Sequence, residues 1–154
     1  MTTSPRLAAR PEVGDDDPFV EQIMSPHVVA IVPDADPVIA SRLMAARRVR
    51  HLPILHGGRC QGLVLEIDVL QALALTDNPL VRPPLLVGEL GREVPTVHPR
   101  DRRSTAARRM RGTGIDAVVV TDGESVVGIV TATDLIRSLA EQTGPVGGPP
   151  VTDR

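Results

Sequence analysis

Two short segments that each end in an aspartate are the part of this sequence best suited to binding chemistry. The second segment reads GIVTATD at 128–134, where an apolar run typical of a strand gives way to a helical pattern. A helix that begins there offers free backbone N–H groups and the positive end of its dipole, which favour an anion. Thr131 can donate to a phosphate oxygen, and Asp134 can accept from both hydroxyls of a ribose. The same spacing is that of a capping box, which satisfies the helix end internally, and both interpretations stay open.

The first segment reads GLVLEID at 62–68 and is a weaker version of the second. Asp68 is kept, but Leu65 stands where the threonine would be, and Glu66 adds negative charge. The residue just before the middle strand of each repeat favours the first repeat instead. Arg50 suits a phosphate because a guanidinium matches its geometry, whereas its counterpart Asp116 would repel one. The favourable features are therefore divided between the two segments.

An internal repeat relates the two segments. Identical or similar residues recur at a constant offset of 66 (134 minus 68), and the segments that open the repeats, 20–24 and 87–91, match at an offset of 67. The matching pairs include Pro33 and Pro99, Met44 and Met110, Val49 and Ile115, Gly62 and Gly128, and Asp68 and Asp134. So many matches in one register indicate a duplicated unit.

Each unit has the pattern of a β-α-β-β-α motif, which predicts an α/β fold. Asp36 can cap the first helix, and Pro37 suits its first position. Because the strands are apolar on both faces, we expect helices to cover them. The predicted elements of the first unit are an extended run at 28–32, a helix from 36, strands at 51–55 and 61–65, and a helix at 67–76. Those of the second are an extended run at 95–98, a helix around 106–110, strands at 117–121 and 125–130, and a helix at 133–142.

Polar, Pro-rich and Gly-rich stretches separate and flank the repeats. We expect a disordered tail at 1–17, because its apolar content is too low to offset the entropy of ordering. The first repeat then covers 18–78, a linker covers 79–86, the second repeat covers 87–142, and a second disordered tail covers 143–154. Repeats of this size are marginal alone, so they should share a core.

Composition excludes several classes of function. The 154 residues carry a formal net charge of −2, and Phe19 is the only aromatic residue, which argues against a nucleic-acid binder. The arginine-rich stretches are expected to be solvated or interface surface. The single cysteine and four scattered histidines predict neither a disulfide nor a metal site. No nucleophile–base set can be assembled, and no apolar run is long enough for a membrane span, so we expect a cytoplasmic protein that is not an enzyme.

The element order, the HLPI step at 51–54 and the closing GIVTATD segment together resemble the CBS domain, named after cystathionine β-synthase. The resemblance covers roughly Phe19 to Gln142. It implies two repeats that pack through their sheets and form two pseudo-symmetric clefts. It also implies binding of an adenosine-containing ligand such as AMP, ADP, ATP or S-adenosylmethionine, with no required cofactor, and often a disc-shaped homodimer.

The resemblance also implies how the clefts are built. In similar proteins the ribose-binding Asp of one repeat works with the first strand and the segment before the proline of the other. The Asp134 cleft would then contain Thr131, Thr133, Val32, Val49 and Arg50, and the Asp68 cleft would contain Thr96 and Ile115. We expect the Asp134 cleft to be the better site.

The overall interpretation is a stand-alone regulatory pair that binds an adenosine nucleotide and modulates a separate effector protein. The alternative is a structural or docking dimer whose clefts are vestigial, which Leu65 and Asp116 favour. A nucleic-acid binder that depends on arginines is a weaker alternative.

Overall fold

The computed structural model describes residues 16–76, 80 and 85–142 of the chain. It has the predicted α/β class, with helices packed on two small sheets. In chain order the elements are α1 (Val20–Ile23), α2 (Pro37–Arg47), β1 (His51–His56), β2 (Arg59–Leu65), α3 (Glu66–Thr76), α4 (Val87–Leu90), β3 (Thr96–Val97), α5 (Arg103–Thr113), β4 (Ala117–Asp122), β5 (Ser125–Thr131) and α6 (Ala132–Gln142).

The hairpins of the two repeats have the same strand register. β1 pairs antiparallel with β2, and β4 pairs antiparallel with β5. Pro53 faces Leu63 in the first hairpin, and Val119 faces Ile129 in the second, each 66 residues later. Both hairpins also have an irregularity at equivalent places, directly after Ile54 and after Val120. The structure therefore confirms the duplication at the level of individual pairs.

The extended run that opens each repeat becomes a strand only in the second repeat. There β3 runs parallel to β4, supported by a hydrogen bond of 3.0 Å from the Val119 N–H to the Pro95 carbonyl. The residue equivalent to Val119 is Pro53, which has no N–H to donate. In the first repeat only Ile31 makes a bridge, to Ile54, so the predicted strand at 28–32 is not formed. The prediction overlooked that this proline removes one bond from the neighbouring strand.

α2 begins as its sequence predicts. The Asp36 side chain accepts a hydrogen bond of 2.7 Å from the Val38 N–H, and Pro37 occupies the first helical position. Ala40 and Met44 are the residues that bury the inner face of the helix. The helix ends at Arg48, whose φ of 54° is left-handed. Few residues other than glycine adopt that region, so the conformational preference of arginine does not explain the sharp turn at Arg48.

α5 receives its N-terminal cap from a residue far away in sequence. Asp17 Oδ1 accepts a hydrogen bond of 2.8 Å from the Ser104 N–H, and Asp17 Oδ2 accepts one of 2.6 Å from the Ser104 hydroxyl. The Asp16 carbonyl accepts hydrogen bonds from Arg103 and Gln142. These two residues were assigned to the N-terminal tail, but their contacts place them with the second repeat. The predictions for 1–15 and 143–154, and for most of the linker, lie outside the described residues.

The repeats exchange their first helices. Val20 of α1 is fully buried in the core that also contains Val118 and Val130 of the second repeat. Val87 of α4 is fully buried in the core that contains Leu52 of the first repeat. The divisions at 18 and 87 therefore separate the repeats in sequence but not in space. The core of each repeat is completed by the helix that opens the other repeat: α1 completes the second core, and α4 completes the first.

A third apolar cluster joins the repeats, as their small size requires. It contains Leu63 of the first repeat with Ile115 and Ala117 of the second, all buried. β2 and β5 also contact each other across this junction. Within the described part of the chain, no helix has the length and apolar character needed to span a membrane.

Candidate ligand-binding clefts

The Asp134 cleft lies between the repeats and has a volume of about 250 Å³. It is lined by the N-terminal segment (Ser25, His27, Val29), the end of α2 and start of β1 (Arg48, Val49, Arg50, His51), and the second repeat (Asp116, Ile129, Thr131, Thr133, Asp134, Arg137). Residues that are far apart in sequence thus meet in one depression. Its lining combines apolar side chains with hydroxyls, carboxylates and guanidinium groups.

Thr131 and Asp134 form a local hydrogen-bonded pair at the start of α6. Asp134 Oδ2 accepts from the Thr131 N–H at 2.8 Å and from the Thr131 hydroxyl at 3.0 Å. This is one half of a capping box, in which the carboxylate serves the residue before the helix. The other carboxylate oxygen, Oδ1, is 3.2 Å from Arg137 Nη1. Asp134 therefore stabilises the helix start with one oxygen and directs the other toward a group that lines the cleft.

Three arginines bring positive charge to the Asp134 cleft. Arg48 and Arg50 flank Val49, and the left-handed turn at Arg48 orients this short segment. Arg137 lies one turn of α6 beyond Asp134, the spacing that places two helical residues on one face. Against them stand two carboxylates, Asp116 and Asp134. The cleft has an excess of positive charge, which suits an anionic group.

His51 and Asp116 connect the two repeats across the cleft. His51 Nε2 lies 2.6 Å from Asp116 Oδ1, and the His51 side chain is 10% exposed. This hydrogen bond from His51 is the main reason that the pKa of Asp116 lies below its ordinary value, against the opposing effect of burial. The nearby charge of Arg50 lowers the pKa of Asp116 in the same direction. Asp116 is therefore an anion in the wall of the cleft at neutral pH.

In the Asp68 cleft an arginine of the chain pairs with both oxygens of the carboxylate, whereas Arg137 reaches only one oxygen of Asp134. Arg92 Nε donates to Asp68 Oδ2 at 2.7 Å, and Arg92 Nη2 donates to Asp68 Oδ1 at 2.6 Å. A two-bond fork of this kind is among the strongest side-chain pairings in proteins. Around it, Gln71 and Leu90 line a depression of about 280 Å³. Leu65, at the place of Thr131, offers no hydroxyl.

The structure brings together most of the residues predicted for the Asp134 cleft. Thr131, Thr133, Asp134, Val49 and Arg50 all line it, and their contact with a ligand stays a prediction. Val32, which is 55% exposed, is not among the lining residues, whereas Val29 is.

The residues predicted for the Asp68 cleft are not brought together in the same way. Asp68 is held by Arg92. Thr96 is exposed on β3, and Ile115 is buried in the core that joins the repeats.

Sequence reasoning missed two arginines that matter for the clefts. Arg137 is three residues after Asp134, so helical spacing alone could have indicated it. Arg92 could have been found from the repeat, because it corresponds to Ser25 at the offset of 67 between the opening segments. Among residues 16–76, 80 and 85–142, no three His, Cys, Asp or Glu side chains come together closely enough to hold a metal.

Comparison with known proteins identifies the family. The family model of the CBS domain matches the chain twice, at residues 20–75 and 87–141. The chain therefore belongs to the CBS domain family and contains a tandem CBS pair. An uncharacterized 33.4 kDa protein in the ribosomal RNA operon of Thermofilum pendens is 30% identical, over 81% of this chain and 45% of that protein. The chain thus spans less than half the length of this curated relative.

Solved structures with the same fold include CBS domain pairs. The CBS domain pair of protein MJ0100, in complex with 5′-methylthioadenosine and S-adenosyl-L-methionine, is 25% identical with a TM-score of 0.73, over 82% of this chain and 98% of that chain. The CBS domain of the bacterial CNNM/CorC family Mg²⁺ transporter in complex with ATP is 19% identical with a TM-score of 0.66, over 79% and 87% of the two chains. At that identity the second comparison concerns the fold alone.

Proposed function

We propose that this CBS pair is a regulatory module that binds a phosphorylated adenosine in the Asp134 cleft. The observation that carries the proposal is the Asp134 carboxylate, fixed at the start of α6 by Thr131, in a cleft that is also lined by Arg48, Arg50 and Arg137. A carboxylate accepts hydrogen bonds from both hydroxyls of a ribose, and guanidinium groups pair with phosphate. The adenosine compounds bound by the CBS pair of protein MJ0100 support this assignment.

The shape of the cleft suggests where each part of such a ligand would lie. Val29, Val49 and Ile129 supply apolar surface for a flat base. Asp134 would take the ribose. The first N–H groups of α6 and Arg50 would take phosphate. Because the arginines outnumber the carboxylates, we expect AMP, ADP or ATP to be preferred over S-adenosylmethionine, whose sulfonium is positively charged.

Binding would act by shifting the population of two arrangements of the repeats. The cleft is built from both repeats, so a ligand in it contacts both and favours the arrangement in which they fit it best. A partner protein that distinguishes the two arrangements would respond to the ligand. This role needs no catalytic group, and we propose that the pair is not an enzyme.

The test is thermal unfolding of the purified chain with AMP, ADP, ATP and S-adenosylmethionine, with adenosine and tripolyphosphate as controls. A ligand that binds only the folded state adds about 2.7 kcal/mol of apparent stability at a hundredfold excess over its Kd. We expect the phosphorylated adenosines to raise the melting temperature more than either control. A shift with tripolyphosphate alone would mean an unspecific anion site. No shift with any compound would contradict the proposal.

The second candidate is a docking module with vestigial clefts, and Asp116 is the observation that favours it. This anion lines the Asp134 cleft, so it repels a phosphate that approaches Arg50. If Asp116→Asn binds a nucleotide that the unmodified chain ignores, the natural cleft is closed to anions and the docking function is favoured.

We also propose that the chain forms a homodimer through the outer faces of α3 and α6. Leu70 and Ile136 occupy equivalent positions 66 residues apart and are 48% and 67% exposed. A surface with an exposed apolar side chain at the same place on both pseudo-symmetric halves is suited to meet a second copy of itself across a twofold axis. The double variant Leu70→Asp/Ile136→Asp should be monomeric in sedimentation equilibrium. A dimer of unchanged stability would show that this face is not the interface.

A further inference from the structure

One backbone position distinguishes the two clefts. Ser25 exchanges two backbone hydrogen bonds with Ile129, of 2.9 and 3.1 Å. Arg92 exchanges the equivalent pair with Leu63, of 2.8 and 2.9 Å. Ser25 and Arg92 therefore occupy the same place in the two halves of the pseudo-symmetric pair, each beside the aspartate of its cleft. Their side chains differ greatly in length and charge.

The Arg92 side chain reaches the aspartate of its cleft and uses both carboxylate oxygens. The two hydrogen bonds of 2.7 and 2.6 Å form a fork on Asp68, whose side chain is only 13% exposed. Because the N–H and the carbonyl of Arg92 are both hydrogen-bonded to Leu63, the guanidinium is anchored close to the carboxylate. In the other cleft, the Oδ1 atom of Asp134 accepts one hydrogen bond, from Arg137, and this bond is longer, at 3.2 Å.

We propose that Arg92 closes the Asp68 cleft as a built-in substitute for ligand, so that each chain binds one nucleotide rather than two. The guanidinium satisfies the carboxylate oxygens that would accept hydrogen bonds from the ribose, although the depression beside the pair, at about 280 Å³, is no smaller than the Asp134 cleft at about 250 Å³. A ligand would have to displace a charge-assisted fork before it could bind. The inference rests on the proposed function for its ligand, but it concerns a different cleft and a different residue.

Leu65 offers a competing explanation for an Asp68 cleft that does not bind ligand. It removes the hydroxyl that Thr131 supplies in the other cleft. The two explanations differ in what happens when the arginine is removed. If Arg92 closes the cleft, the variant Arg92→Ser, which copies the natural Ser25, opens a second site. If Leu65 alone disables the cleft, the same variant changes nothing.

The experiment is isothermal titration with AMP and with ATP of the unmodified chain and of Arg92→Ser, Arg92→Ser/Asp68→Ala and Arg59→Ser. Arg59 is the matched control, because its pairing with Glu124 at 2.7 Å is exposed and both residues lie outside the clefts. Circular dichroism and thermal unfolding establish that each variant is folded. We expect one site per chain for the unmodified protein and the control, two for Arg92→Ser, and one for the double variant.

The possible results separate the two proposals. Two sites in the unmodified chain, or an unchanged number in Arg92→Ser, would overturn the role of Arg92. No binding to the unmodified chain, with one site in Arg92→Ser that Asp68→Ala removes, would support the role of Arg92 and contradict the proposed function. No binding to any of these proteins would contradict both.

Discussion

Replacing Asp134 by alanine separates its two roles, since one carboxylate oxygen serves the helix and the other faces the cleft. A hydrogen bond to a charged group contributes about 1.5–3 kcal/mol. Two bonds from ribose hydroxyls therefore amount to at least about 3 kcal/mol, or roughly a hundredfold in Kd. The bond of 2.8 Å from the Thr131 N–H is a capping interaction, whose loss lowers the free energy of unfolding by about 1 kcal/mol. For a chain of this size that is about 4 °C in melting temperature.

Calorimetric titration with AMP measures the loss of affinity, and thermal unfolding without ligand measures the loss of stability. Asp68→Ala is the matched control, because it removes the equivalent carboxylate, which in the structure is paired with Arg92. We expect its affinity for AMP to equal that of the unmodified chain. Equal affinities for Asp134→Ala and the unmodified chain would refute the assignment of the cleft. A hundredfold loss in Asp68→Ala instead would show that the wrong cleft was chosen.

Two further predictions concern stability. Asp17→Ala should lower the free energy of unfolding by about 1 kcal/mol in urea, because the cap of α5 is lost, whereas Asp16→Ala should have no effect since Asp16 contributes only its carbonyl. Equal losses in the two variants would argue against the cap. Asp116→Asn should be less stable than the unmodified chain at pH 7, and this difference should disappear as the pH falls below the ordinary carboxyl value of 3.8. The sign follows because the hydrogen bond from His51 lowers the pKa of Asp116 in the folded state, so its contribution is present above that value and is lost when the carboxyl is protonated. A difference that is constant from pH 7 to pH 2.5 would contradict the role of this hydrogen bond.

Some of the candidate site could be predicted because it depends on neighbours in sequence. Thr131 and Asp134 are three residues apart at a strand-to-helix junction, so their pairing follows from local geometry. The capping of α2 by Asp36 is local in the same sense. The sequence left ligand binding and capping by Asp134 open as two interpretations that the same residue can combine. In the structure capping uses Oδ2, which leaves Oδ1 toward the cleft, so the two roles are compatible.

Other parts of the site could not be predicted because they join distant segments. His51 and Asp116 are 65 residues apart in the sequence. From the sequence, Asp116 was interpreted only as a residue that would repel phosphate, in contrast to its counterpart Arg50. The hydrogen bond between His51 and Asp116 depends on how the two repeats pack. Val32 was expected in the Asp134 cleft because the resemblance implies that the first strand of one repeat meets the aspartate of the other. In the structure this run makes only the bridge between Ile31 and Ile54, and the residue of the run that lines the cleft is Val29.

The sequence by itself determined the duplicated β-α-β-β-α unit, the turns and caps within each unit, and the family to which the chain belongs. These features follow from periodicity, from residue preferences and from an offset that can be read along the chain. Only the tertiary structure decided that α1 packs in the core of the second repeat, that Asp17 caps α5, and that Arg92 pairs with Asp68. Each of these depends on contacts between segments whose separation in sequence carries no information about their distance in space. The sequence already made the two clefts unequal, through Leu65 in place of Thr131 and Arg50 in place of Asp116, and the tertiary structure adds the pairing of Arg92 with Asp68.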